Sequence, residues 1–232
     1  MPDRTATILV LEDDMVTRRL LEATLSTEGF TVESYGTLAH ATAAAQRREF
    51  DLYLLDIMLP DGSGLDFCSM LRTRTRKPIV MITVKGDTSD IVRGLELGAD
   101  DYILKPFQLP EIVARVRAQL RRAGPLSDQS TETTVRVGDL VVDRGSRDAF
   151  IGGKRANLSP REFELLDYLA GRAGRSVTKE AVMGAIWGDE DDVSEKILAV
   201  YVHRLRCKIE SDPEEPRYVQ TVRGYGYRLS RD

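Results

Sequence analysis

The sequence predicts an α/β fold: a five-stranded, parallel, doubly wound domain over residues 1–122, followed by a smaller α+β domain over residues 135–232. Three observations predict it. Short apolar runs alternate with amphipathic stretches five times between Thr7 and Arg122. The rhythm then changes across the small, polar segment 123–134, "AGPLSDQSTETT", which has the composition of a linker. Finally, four of the five apolar runs end in a carboxylate, a hydroxyl or an amine. A chain of 232 residues also suits two domains better than one.

The elements follow in order. "TILVLE" (7–12) predicts a first strand and Met15 to Glu28 a first helix. "FTVESY" (30–35) and a helix around Ala39 to Arg47 come next, then "DLYLLD" (51–56) and a helix from about Leu65 to Arg72. "PIVMIT" (78–83), a helix from about Asp90 to Leu97, "DYILKPF" (101–107) and a helix from Pro110 to Arg122 complete the set. Strands that alternate with helices build a parallel sheet covered on both faces. Right-handed crossovers then bring every strand's C-terminal end to one edge.

Beyond the linker, "VRVGDLVVDRGSRDAFIGGKRANLS" alternates around Gly and Asp turns and predicts an antiparallel meander. Ser159, Pro160 and Glu162 form a capping-box pattern that launches "REFELLDYLAGR". Thr178 caps "KEAVMGAIW", and Val193 to Glu210 predicts a third, longer helix. "RYVQTVRGYGYRLSR" alternates around Gly224 and Gly226 as a hairpin.

Composition limits the function classes. The formal net charge of −4 argues against wholesale coating of nucleic acid but leaves room for a local patch. The start "MPDRTATILVLEDD" has no basic region leading into a long apolar run, and no apolar stretch reaches membrane-spanning length, so the expectation is a cytoplasmic protein without membrane contact. Cys68 and Cys207 fall in different domains and read as reduced thiols, neither with a metal-ligating neighbour.

The run 52–57 contains one charged residue, Asp56, and a buried carboxylate needs partners. Pro60, Asp61, Gly62 and Gly64 break the chain just after it, so Asp56 sits where a strand empties into a loop. The neighbouring strands end in Glu12, Asp13 and Asp14, in Thr83, and in Lys105 before Pro106. Two carboxylates about 4 Å apart repel by about 4 kcal/mol at an effective dielectric of about 20, so several cluster only with help. Mg2+, which accepts a few carboxylates, a carbonyl and waters, supplies that help and leaves a position for a phosphoryl oxygen.

On "LVLEDD", "LLDIMLPDGSG", "MITVK" and "GADDYILKPF", in order, residues 7 to 122 resemble the receiver domain of bacterial two-component response regulators. The resemblance implies that Asp56 accepts a phosphoryl group from a sensor histidine kinase. It implies further that Glu12, Asp13, Asp56 and the Met58 carbonyl hold Mg2+, that Thr83 and Lys105 contact the phosphoryl group, that Tyr102 is an aromatic switch, and that the Lys105–Pro106 bond is cis. Val84 is larger than the residue the family usually carries there. Two rivals are weaker: a haloacid-dehalogenase phosphatase needs "DxDGT", and a flavodoxin-like carrier needs a phosphate-cradling loop where this chain has "EDDMVT". Retention of Asp56, Thr83 and Lys105 argues against a phosphorylation-independent receiver.

The helix 193–210 has an apolar side, Ile197, Leu198, Val202, Leu205 and Ile209, and another face with Lys196, His203, Arg204, Arg206 and Lys208. Residues 124–232 hold 17 Lys+Arg against 19 Asp+Glu, yet Arg217 to Arg231 contains four arginines and no acid, so positive charge concentrates on one helix and one hairpin. With "LSPREFELLDYLAGRAG", "HRLRCKIE" and "YVQTVRGYGYRL", this half resembles the winged helix-turn-helix effector of the OmpR/PhoB family. By that resemblance Lys196, His203, Arg204, Arg206 and Thr221 contact double-stranded DNA at promoter half-sites and Arg223 enters the minor groove. Trp187 and Asp189 to Asp192 sit where relatives meet RNA polymerase. The family's dimer implies a homodimer on phosphorylation, with Ile91, Val92, Leu95 and Ala114 as an apolar patch and Asp101 with Arg115, Asp100 with Arg122 and Glu111 at its rim. Ile91 stands where close relatives carry a base. The expectation is thus a phosphorylation-controlled transcription regulator, not an enzyme.

Overall fold

The computed structural model describes residues 5–84, 88–124, 134–188 and 194–231. It divides into two compact units, Met1–Gly124 and Pro125–Asp232. In the first, β1 (Thr7–Leu11), β2 (Thr31–Tyr35), β3 (Leu52–Asp56), β6 (Ile79–Val84) and β7 (Asp101–Lys105) form one sheet in the order β2-β1-β3-β6-β7. Every pairing is parallel. The helices are α1 (Met15–Thr27), α2 (Leu38–Arg47), α3 (Gly64–Arg72), α4 (Thr88–Glu96) and α5 (Leu109–Ala123). A small ribbon of β4 (Met58–Leu59) and β5 (Gly62–Ser63), which the apolar rhythm does not predict, shapes the loop after β3.

Continuous apolar runs make these strands because both faces are covered. Ile8, Val10, Leu52, Leu54, Val80, Ile82 and Ile103 pack on Leu21 and Leu25 of α1 and on Ile112 and Val116 of α5. Asp14 is the N-cap of α1 and accepts from the Thr17 N–H at 2.8 Å. One of the three acids after β1 is therefore occupied by helix capping, and that bond holds its carboxyl below the usual range. The strand order reverses direction at β1 and β3, so the crevice between their carboxyl ends is the natural place for a site.

The second unit opens with β8 (Thr134–Val137), β9 (Leu140–Asp143), β10 (Asp148–Ile151) and β11 (Lys154–Arg155), an antiparallel sheet in chain order. Next come α6 (Pro160–Ala170), β12 (Ser176–Thr178), α7 (Lys179–Trp187), α8 (Glu195–Ile209) and the hairpin β13 (Val219–Val222) and β14 (Gly226–Leu229). The expected capping box is present at the start of α6. Strand β12 is not predicted by the sequence pattern. It pairs with β14 to make a three-stranded sheet, β12-β14-β13. Gly224 occupies the turn at φ +70°, whereas Gly226 lies inside β14, where a Cβ would stand 2.0 Å from the Val177 carbonyl oxygen. That glycine permits the close approach of β12.

Candidate phosphoacceptor edge and nucleic-acid interface

Glu12, just after β1, and Asp56, the last residue of the adjacent β3, are both buried, with Asp13 exposed beside them. Ligand oxygens of these three acids all lie within 4.8 Å of one another. Lys105, at the end of β7, reaches across the edge: its Nζ donates to Asp56 Oδ2 at 2.6 Å and to Glu12 Oε1 at 2.9 Å. Burial pulls the ammonium toward neutrality, but the bonds to Asp56 and Glu12 outweigh it and hold its pKa above the ordinary value. Glu12 is the opposite case. Burial, helped by the nearby Asp56 charge, pushes its carboxyl up to about 7 despite Lys105. Its Oε2 lies 2.8 Å from the ammonium but has no hydrogen bond of its own. Three acids whose oxygens converge within 4.8 Å form the all-oxygen donor set a hard divalent cation takes, so the residues fit Mg2+.

The surrounding chain holds these groups in place. The Met58 N–H donates to Asp56 Oδ1 at 3.0 Å, and Met58 itself is exposed, leaving its carbonyl in the same loop. Gly64 follows because a Cβ there would stand 1.9 Å from the Asp56 carbonyl oxygen. Arg18, a residue the sequence pattern did not mark, binds the carbonyls of Glu12 at 2.7 Å and Asp13 at 2.9 Å and braces the loop. Its position one turn into an otherwise ordinary amphipathic helix gave no signal. Thr83 is buried on β6, one residue past the partner of Asp56, and Tyr102 is buried on β7 beside Met81. Val84 turns 62% of its surface to solvent. The Lys105–Pro106 bond is cis.

The α4, β7 and α5 residues assigned to a dimer surface divide. Ile91 and Val92 are half-buried and Ala114 is exposed, but Leu95 is 1% exposed and belongs to the core. Asp100 is fully buried, accepting from Arg72 Nη2 at 2.6 Å and from the Ile79 N–H at 3.0 Å, so within its own chain it is paired with Arg72. Arg122 is half-buried in α5. Asp101, also buried, takes Arg115 at 3.4 Å and Gln119 at 2.9 Å within the same chain, and Glu111 takes Arg115 at 3.1 Å. A fully buried carboxylate has its countercharge at home because an unpaired one is too costly.

In the second unit Lys196, His203, Thr221 and Arg223 are exposed, Arg223 in the turn of the β13–β14 hairpin. Arg206 is half-buried and ties α8 to that hairpin, donating to the Val219 carbonyl and to Thr221 Oγ1, each at 2.8 Å. Arg204 is buried against Tyr201 and pairs with Glu162 Oε1 at 2.7 Å, so in this structure the fold holds it. Lys208 takes the other oxygen, Oε2, at 2.6 Å. Two cations outweigh the strong burial of Glu162 and hold its carboxyl at about 2. The capping pattern marked Glu162, but nothing in it signalled the ion cluster. Trp187 is buried between Arg161 and Tyr201, and Asp189 to Asp192 lie outside the described residues. His203 Nε2 lies 3.5 Å from Cys207 Sγ, a neighbour one helical turn away that the sequence reading overlooked.

Residues 8–117 match the family described as "Response regulator receiver domain", and residues 153–229 match "Transcriptional regulatory protein, C terminal". The DNA-binding response regulator MtrA of Mycolicibacterium smegmatis is 41% identical over 95% of each chain. The sensory transduction protein RegX3 of the same species is 39% identical over 96% of this chain and 98% of its own. Among solved structures, a RitR mutant aligns over 98% of this chain and all of its own at TM-score 0.75 and 26% identity. DrrB, a Thermotoga maritima OmpR/PhoB homologue, aligns over the same shares at 0.52 and 33%. Fold and matches together define a response regulator with a receiver domain and a DNA-binding domain. The chain belongs to the OmpR/PhoB family, whose members regulate transcription and are not enzymes. Among the described residues no helix is long and apolar enough to cross a membrane.

Proposed function

We propose that Asp56 is the phosphoacceptor and that its phosphorylation by a sensor histidine kinase controls promoter binding by the second unit. The observation that carries this reading is the single ammonium of Lys105 bridging Asp56 and Glu12 across the sheet edge. A carboxylate oxygen of Asp56 attacks phosphorus, an acyl phosphate forms, and the P–N bond to the kinase histidine breaks. Glu12, Asp13, Asp56 and the Met58 carbonyl would hold Mg2+, which would supply charge neutralisation at the phosphoryl oxygens. Lys105 then exchanges a carboxylate oxygen for a phosphoryl oxygen. Thr83 follows with its hydroxyl, and Tyr102, already buried on the neighbouring strand, repacks into the space it leaves.

The same reading makes Ile91, Val92 and Ala114 the patch of a phosphorylation-favoured homodimer, which presents two effector units to two half-sites about one helical turn apart. Lys196, His203 and Thr221 contact the duplex, Arg206 fixes the hairpin against α8, and Arg223 enters the minor groove. RNA polymerase meets the segment around residues 189–192.

Intact-mass measurement with a small acyl-phosphate donor and Mg2+, alongside sedimentation, tests the assignment. The wild type gains one phosphoryl group and shifts toward dimer. Asp56→Asn does neither. Equal uptake by both proteins would exclude Asp56.

A further inference from the structure

His203 and Cys207 of α8 are both exposed and stand at i and i+4, where side chains on a helix face one another. Cys207 Sγ is 3.5 Å from His203 Nε2. A tetrahedral ion bound to nitrogen at about 2.0–2.1 Å and to thiolate sulfur at about 2.3 Å keeps those two ligand atoms about 3.5 Å apart. The donor pair therefore already has the span of a chelate.

The other side of the ring supports the same geometry. Glu214 Oε1 lies 4.0 Å from His203 Nδ1. That is an ion-pair distance and not a hydrogen bond; a negative charge on this side of the ring favours the proton on Nδ1 and leaves the lone pair on Nε2, the atom that faces sulfur. The cations nearest in sequence are engaged elsewhere: Arg204 and Lys208 on Glu162, and Arg206 on Val219 and Thr221. Cys68, the other thiol, is buried in the receiver unit and takes no part.

We propose that His203 Nε2 and Cys207 Sγ form a site for a borderline-soft divalent cation such as Zn2+, oriented by Glu214, on the face that α8 presents to DNA. Binding releases the Cys207 thiol proton to solvent, and water completes the coordination. A metallated His203 is withdrawn from the duplex, so the ion competes with DNA. This last consequence rests on the DNA-binding role proposed for His203.

Cobalt(II), a spectroscopic stand-in for Zn2+, is titrated into the reduced full-length protein with Mg2+ present to occupy the receiver acids, which give no thiolate band. A thiolate-to-cobalt charge-transfer band is expected, saturating near one equivalent, retained in Cys68→Ser and absent in Cys207→Ser. Glu214→Gln should bind about tenfold more weakly. In parallel, Zn2+ should weaken binding of a labelled random-sequence duplex at low salt for the wild type and not for Cys207→Ser. Absence of the band, or its persistence in Cys207→Ser, overturns the site. A band with DNA affinity unchanged by Zn2+ overturns the competition. If no duplex binds even without metal, the DNA reading has failed and the cobalt band still decides the site.

Discussion

Replacing Glu162 by Gln removes the charge at the centre of the effector unit and leaves its shape. Glu162 is fully buried, holds Arg204 at 2.7 Å and Lys208 at 2.6 Å, and accepts the Ser159 N–H at 2.8 Å. Its carboxyl is held at about 2 against an ordinary 4.5, which corresponds to roughly 3 kcal/mol of preference for the ionised form in the folded state. Independently, removing one partner of a buried ion pair costs about 3–5 kcal/mol. Lys208 retains some access to water and can rehydrate, whereas Arg204 cannot, so the lower end of that range is expected for Glu162→Gln. Urea unfolding followed by the fluorescence of Trp187, the chain's one tryptophan, reports this unit alone, because Trp187 is buried in α7 against Tyr201 of α8. Because the folded-state pKa is depressed, the advantage of the wild type is fully present above about pH 4.5. It is lost as pH falls toward 2, where the two proteins converge. Adding Arg204→Met to Glu162→Gln should recover part of the loss, since replacing both charges avoids a stranded one. A loss under about 1 kcal/mol at pH 7, or a difference that persists unchanged down to pH 2, would refute the reasoning.

Two further outcomes separate exposed from buried arginines. Arg223→Ala should lower the slope of log affinity against log salt by about 1 while leaving stability within about 0.5 kcal/mol, and Arg204→Ala should do the reverse, which DNA-binding isotherms over a salt series and urea unfolding check together. In the receiver, Arg72→Ala strips the countercharge from fully buried Asp100 along with bonds to the carbonyls of Gly98, Thr75 and Lys77. A destabilisation of roughly 3–5 kcal/mol by circular dichroism is expected, and a smaller effect on the dimer than on folding would place Asp100 in the core rather than at an interface.

Much of this protein was legible before any coordinates. The five strands of the receiver, the placing of Glu12, Asp56, Thr83 and Lys105 within a residue of their ends, and the capping box at Ser159 follow from local rules, because apolar period, chain-breaking residues and cap chemistry act over a few neighbouring residues. Helix ends moved by a residue or two, as fraying termini do. Strand β12 escaped because three residues, "SVT", carry no period of their own; pairing with β14 makes them a strand.

Charge partners were the other thing only the tertiary structure decided. Periodicity tells which face of a helix a residue occupies, but Lys208 meets Glu162 across 46 residues of chain and Arg72 meets Asp100 across 28. Arg204 and Arg206 look alike in "HRLRCKIE", yet one is sealed against Glu162 and the other binds the hairpin. Asp100 and Asp101 read as surface acids, yet both lie in the core with their own countercharges. Burying a charge is costly enough that the fold must bring it a partner, and which partner arrives depends on packing between elements remote in sequence.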